Sequence, residues 1–283
     1  MNEVMFTLSN VSYQYPHGQT ALQNITLSIK RNKKIAVLGN NGAGKSTLFF
    51  LLNGLLKPTS GTIYFCGHPL SYNKKAIQKL RKAVGIVLQD SDSQLFMPTV
   101  FEDICYGLYH VGINGKEIEK LVQQAMIETD TYHLKDRSIH SLSIGEKKRV
   151  AIAGILAINP EMFILDEPTA GLDPYYSKKM IELLNNIHLQ GKTIILSTHD
   201  IELAYEWADE MIVLHKGKIV LQGSPFTVFK EEDTIQSCHL DLPWMYVLQK
   251  LVSPLDEASS KNLNKKQLIQ QLKNAISNKT CRK

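Results

Sequence analysis

Cysteine is scarce. Cys66, Cys105, Cys238 and Cys281 are scattered through 283 residues, and no two form a CxxC pair. That spacing excludes a disulfide framework and a cysteine metal site, and it fits reduced, buried or incidental thiols of a cytosolic protein. Long apolar runs are also missing. None approaches the roughly 18 residues a membrane span needs. The nearest, "VAIAGILAI", begins after Arg149 and stops at Asn159. The opening "MNEVMFTLSN" lacks a basic-then-apolar order, so no signal peptide is expected. No internal repeat or low-complexity tract occurs. An excess of one charge is absent from most of the chain. The formal net charge is +5, but seven Lys and Arg and no acid lie between Ser259 and Lys283, leaving −2 for the rest. A near-neutral body argues against a nucleic-acid groove. The basic tail reads as a solvated face, with an anionic membrane surface as the other partner it would suit.

Hydrophobic residues make up 43% and charged residues 21%, which predicts a packed core rather than disorder. The length suits one large domain, or a domain with an appendage. Residues 3–30 alternate and are rich in Val, Ile, Thr and Tyr, with "PHG" at 16–18, so they read as strands joined by a turn. "KIAVL" (34–38) is a short buried strand, and "STLFFLLNGLL" (46–56) a helix without a breaker until Gly54. Apolar runs recur at "VGIVL" (84–88), "MFILD" (162–166), "TIILS" (193–197) and "MIVLH" (211–215), several of them separated by helical patterns. This alternation predicts a parallel sheet covered on both faces. Between about residues 90 and 150 the texture turns helical, and Thr99 with Glu102 has capping-box spacing. Beyond about Glu232 it changes again. Leu268, Ile269, Leu272 and Ile276 have helical spacing there, so residues 233–283 read as a small helical appendage.

"GNNGAGKST" (39–47) fits G-x-x-x-x-G-K-[ST], with a strand before it and a helix after it. Gly39, Asn40, Asn41, Gly42, Ala43 and Gly44 let the backbone curl so that N–H groups point at phosphate oxygens. The helix end adds partial positive charge. Lys45 reaches the β- and γ-phosphates, the Ser46 hydroxyl is placed for Mg²⁺, and Thr47 completes the motif. "MFILDEP" brings Asp166 to the carboxyl end of a buried strand, where it can hold Mg²⁺ through water. Glu167 faces the other way and can orient or deprotonate an attacking water. In "SLSIGEKKRV" (141–150), Ser143 and Glu146 also have capping-box spacing at the start of a helix, a place that attracts anions.

Taken together, these segments resemble an ATP-binding-cassette ATPase. "GNNGAGKST", "LSIGE" and "FILDEPTAGLDP" occur in the family's order, followed by His199 in "ILSTHD". The resemblance covers residues 3–232. It implies an α/β fold: a P-loop nucleotide-binding core, an antiparallel β subdomain, a helical signature subdomain at about 90–150, and here the C-terminal appendage. It implies ATP and Mg²⁺ as cofactors and Glu167 and His199 as catalytic residues. It makes Tyr15 the aromatic that stacks on adenine, with Tyr13 its competitor, and Gln89 a sensor of Mg²⁺ and the γ-phosphate. It also implies that Ser143, Gly145 and Glu146 cap ATP held by a second subunit, and that Asp173 in "AGLDP" crosses to that subunit. Family members usually carry LSGGQ; at Ile144 a branched side chain stands where glycine is usual, and a left-handed backbone there would be strained.

"VGIVLQDSDSQLF" and "EKKRVAIAGILA" look like the cobalt/nickel and energy-coupling-factor importers. The resemblance then implies partners: a second ATPase subunit, identical or related, and integral membrane transport subunits, with this chain peripheral on the cytoplasmic face of the cell membrane. The appendage is expected to help hold two ATPase subunits together. A soluble cassette ATPase acting on DNA or ribosomes is the competing class. It conflicts with the single cassette and with the 95 positions from Thr47 to Leu142, which hold no heptad run. A regulator without turnover conflicts with the presence of Lys45, Gln89, Glu167 and His199.

Overall fold

The computed structural model describes residues 3–113, 115–252 and 269–270. The strands are β1 (Val4–Gln14), β2 (Thr20–Lys30), β3 (Lys34–Leu38), β4 (Ser60–Phe65), β5 (His68–Pro69), β6 (Val84–Val87), β7 (Met162–Leu165), β8 (Thr193–Ser197), β9 (Glu210–His215) and β10 (Lys218–Gly223). The helices are α1 (Lys45–Leu52), α2 (Lys74–Ala83), α3 (Val100–His110), α4 (Lys116–Glu128), α5 (Ile144–Ile158), α6 (Pro174–Leu189), α7 (Ile201–Trp207), α8 (Pro225–Lys230), α9 (Glu232–Ser237) and α10 (Trp244–Val252).

A six-stranded sheet runs β10-β9-β3-β8-β7-β6, and all its pairings are parallel except β9 with the edge strand β10. A four-stranded antiparallel sheet runs β2-β1-β4-β5. The central parallel strands are buried on both faces, which is why "MFIL" and "TIILS" are continuous apolar runs. Successive residues serve different layers. Ala36, Leu38, Phe163 and Leu165 pack with the helices, whereas Ile35, Val37, Met162 and Ile164 pack with α1 and the antiparallel sheet. Full burial of each large apolar side chain contributes about 1.5–3 kcal/mol. These layers fix the carboxyl ends of β3 and β7, from which the phosphate loop and Asp166 emerge.

Helix α1 is shorter than the apolar run 46–56 predicts. Asn53 ends it, donating its Nδ2 to Val84 O at 2.7 Å, and Gly54 follows at φ 71°. The expected helical segment comprises α3, α4 and α5. Helix α5 extends past Arg149, so the "VAIAGILAI" run is its packed body. No described helix is long and apolar enough to cross a membrane.

Helices α8, α9 and α10 dock on the chain's own core. Tyr205 and Tyr246 are buried, Tyr205 Oη donates to Gln249 at 3.0 Å, and Tyr246 Oη donates to Glu232 at 2.9 Å. Leu240, Leu242 and Leu248 pack there too, while Val247 stays exposed. Asn40 of the phosphate loop donates to Cys238 O at 2.9 Å, just after α9. The start of the appendage therefore touches the nucleotide loop directly. Of the expected distal helix only Ile269 and Gln270 are described; Leu268, Leu272, Ile276 and the basic residues of the tail lie outside the described residues.

Candidate nucleotide site and signature half-site

The phosphate loop connects β3 to α1. Gly39 lies at φ 148°, and a Cβ there would stand 2.3 Å from Leu214 O, a backbone atom that cannot swing away. Gly44, before α1, lies at φ 107°. The loop therefore depends on glycine's lack of a side chain. Gly39→Ala is expected to destabilise the fold by about 2 kcal/mol or more, seen as a lower calorimetric midpoint. An unchanged midpoint would contradict this packing.

Lys45 is 7% exposed and donates its Nζ to Gly39 O at 2.6 Å. Burial lowers its pKa, against the opposing pull of Glu167 and Asp166. Ser46 Oγ donates to Asp166 Oδ2 at 2.5 Å, and Ser197 Oγ donates to Asp166 Oδ1 at 2.5 Å. Hard oxygen donors converging at the start of a phosphate-binding helix fit Mg²⁺, which prefers oxygen ligands. Glu167 is buried at φ 51°, a left-handed backbone that costs about 1–3 kcal/mol and persists only where the surroundings fix it. Its Oε1 lies 3.1 Å from His199 Nε2 and 4.0 Å from Lys45 Nζ. Among the described residues no aligned hydrogen bond reaches that buried oxygen, which leaves it an open acceptor.

One cavity of about 320 Å³ collects Tyr15, residues 40–47, Gln89, Asp166, Glu167 and His199. Tyr15 Oη lies 3.1 Å from Thr47 Oγ1, and the His17 ring stacks on the Tyr15 ring at 5.6 Å. Tyr13, the competing aromatic, is a buried strand residue of the antiparallel core. Gln94 shapes the approach to Gln89: its Oε1 accepts from Leu88 N at 2.9 Å and its Nε2 donates to Ile86 O at 3.2 Å.

Ser143, Gly145, Glu146 and Asp173 are not in that cavity. They line a separate one of about 660 Å³, which shares no lining residue with the first. Ser143 caps α5 in a full capping box: its Oγ accepts from Glu146 N at 3.3 Å, and Glu146 Oε2 accepts from Ser143 N at 2.7 Å. That backbone N–H, with help from the Ser143 hydroxyl and Arg137, holds the Glu146 carboxyl below its usual range. Glu146 thus braces the turn. Asp173 caps α6, accepting from Tyr176 N at 2.9 Å ahead of Pro174. Ile144 is the first helical residue of α5, not a left-handed one, so the strain expected from its branched side chain does not arise. Its side chain is 60% exposed beside Gly171.

Lys148 is a residue that sequence reasoning missed. It is buried, and its Nζ donates to Glu167 O at 2.9 Å and Ala170 O at 2.6 Å. Within "EKKR" nothing in the sequence separates it from its neighbour Lys147, which forms a surface ion pair with Asp92.

Residues 22–170 match the family model of the ABC transporter. A putative ABC transporter ATP-binding protein of Methanosarcina mazei is 45% identical over 240 residues, covering 85% of this chain and 53% of that protein. The chain thus spans about half the length of that relative. The energy-coupling factor transporter ATP-binding protein EcfA of Methanocaldococcus jannaschii is 43% identical over 244 residues, covering 86% of this chain and 88% of that one. The solved structure of cbiO1 from Clostridium perfringens, part of the ABC transporter complex cbiONQ, superposes with a TM-score of 0.74 at 43% identity. It covers 88% of this chain and 100% of that chain. A phosphate loop, a buried carboxylate pair and a separate signature helix end, in a chain this similar to those proteins, place it in the ABC transporter family, among the ATP-binding proteins of energy-coupling-factor type.

Proposed function

We propose that this chain binds ATP with Mg²⁺ and hydrolyses it in partnership with a second ATPase subunit, identical or related. Through that cycle it energises integral membrane subunits of an energy-coupling-factor importer from the cytoplasmic face of the cell membrane. The transported solute belongs to the metal-ion (cobalt or nickel) or vitamin class. The observation that carries the reading is the division of the site. Lys45, Asp166 and Glu167 share one cavity, while Ser143 and Gly145 line another. A helix N-terminus that lines a cavity apart from its own chain's phosphate loop suits phosphate brought by another chain.

The geometry supports these roles. Lys45 and the loop amides hold the phosphates, and Tyr15 offers a ring to the base. Ser46 and Asp166 hold Mg²⁺, with Gln89 at the same cavity; the ion offsets charge on the β- and γ-phosphates. Glu167 accepts a proton from the attacking water, and His199 faces the γ-phosphate beside it. Phe96 and Tyr109, exposed on the helical segment beyond Gln89, offer apolar surface to a membrane subunit. Helices α3, α4 and α5 have 11, 13 and 15 residues, too short for the long coiled coils of DNA-acting cassettes.

Phosphate release from MgATP, measured against chain concentration, tests the proposal. Specific activity is expected to rise with concentration, in step with ATP-dependent dimers seen by sedimentation. Full specific activity in a chain that sediments as a monomer would refute the two-chain reading.

A further inference from the structure

Lys148 is 4% exposed, and among the described residues no carboxylate lies within ion-pair distance of its ammonium. Burial lowers its pKa, against the weaker opposing pull of the Glu167 carboxylate, which makes no contact with it. A buried cation without a paired anion is costly, and an apolar side chain of the same length would avoid that cost. Its two acceptors are informative. Both are backbone carbonyls, Glu167 O and Ala170 O, at the two ends of one turn that is itself closed by Ala170 N donating to Glu167 O at 3.2 Å. The other side of the Glu167 peptide is held as well, because Glu167 N donates to Ser197 Oγ at 2.9 Å. The left-handed backbone of Glu167 is thus clamped between Ser197 and Lys148.

Lys148 also belongs to α5. Ser143, the cap of that helix, lies five residues earlier. At about 1.5 Å per residue the separation along the axis is about 7.5 Å, within one rigid element. The helix end that lines the second cavity and the ammonium that grips the backbone of Glu167 therefore belong to one rigid element.

We infer that Lys148 is a positioning residue. It sets the Glu167 carboxylate for attack, and it couples the seating of α5 on one ATP to the carboxylate that serves the other. The inference rests on the proposed two-chain hydrolysis and adds to it a link within each subunit between the two composite sites.

The test uses the full chain carrying Lys148→Met, Lys148→Gln, Glu167→Gln and the Lys148→Met/Glu167→Gln pair. Steady-state kcat and KM, the ATP dissociation constant, single-turnover rates and thermal unfolding are measured. Lys148→Met is expected to lower kcat about 10–100-fold while the ATP dissociation constant stays within about twofold, the split of an interaction used in the transition state. Lys148→Gln keeps a donor on a shorter stem and is expected to lose about fivefold in kcat. In the Glu167→Gln background, Lys148→Met is expected to change the single-turnover rate by less than about twofold, because both act through one carboxylate. A merely structural lysine would give the same loss in both backgrounds, which would overturn the inference. So would a folded Lys148→Met chain with native kcat, or a loss carried wholly by ATP affinity. Should Lys148→Met fail to fold, native kcat in Lys148→Gln overturns it. A native chain that releases no phosphate, or a Glu167→Gln chain at the native rate, removes the underlying reading and this inference with it. A strong Glu167→Gln effect beside an indifferent Lys148 removes the inference alone.

Discussion

Glu167→Gln is expected to keep ATP binding and to lose about 10²–10⁴-fold in turnover, the scale of a lost general base. The substitution preserves shape and removes charge and basicity. That charge sits in a buried position, with Oε1 3.1 Å from His199 Nε2 and 4.0 Å from Lys45 Nζ. Among the described residues no aligned donor occupies this oxygen, so it is available to a water proton. The amide should bind ATP as tightly as the carboxylate or more tightly, because a negative charge beside the γ-phosphate is gone. Binding energy kept while chemistry is lost leaves the two-chain closed state with nothing to reopen it. Sedimentation should therefore show ATP-stabilised dimers of the Gln chain that the native chain forms only transiently. Near-native phosphate release from the Gln chain would remove Glu167 from the chemistry.

Much of this site is legible in the sequence because its parts are local. A strand, a glycine-rich loop and a helix adjoin in "KIAVLGNNGAGKST", and a buried strand delivers Asp166 and Glu167 within a single run. Both capping boxes, at Thr99 and at Ser143, are four-residue patterns and form as their spacing predicts. What the sequence hides is long-range. Lys148 looks like its charged neighbours until the fold buries it against a turn 19 residues away at Glu167. Asn40 fits any phosphate loop, yet its side chain is spent on Cys238 O, 198 residues away. The left-handed backbone of Glu167 is equally unreadable, since it is imposed from Ser197 and α5 and not by local preference. The end of α1 at Asn53 belongs to the same class: a side chain reaching Val84 O stops a run that helical pattern alone would continue.

Ser143→Arg is expected to abolish hydrolysis while leaving the affinity of a single chain for ATP nearly unchanged. The reason is placement. Ser143 lines a different cavity from Lys45 and the loop amides, so ATP bound within one chain does not meet it. On the proposed two-chain reading it meets phosphate only when a second chain closes, and there an Arg side chain would fill the approach. The fold should survive. Loss of the Ser143 cap costs about 1 kcal/mol, a fraction of the 5–15 kcal/mol of a typical domain. Half of the capping box does not depend on that side chain at all, because Glu146 Oε2 accepts from the Ser143 backbone N–H at 2.7 Å. The same geometry makes Ser143→Arg distinct from Lys45→Ala. The latter removes the ammonium that the proposed site sets against the phosphates in the ground state, so it should weaken ATP binding by the isolated chain. Titration of both variants as monomers, with thermal melts alongside, separates the two. If folded Ser143→Arg monomers lose ATP binding as Lys45→Ala monomers do, the signature helix serves its own chain's nucleotide, and the composite site is wrong.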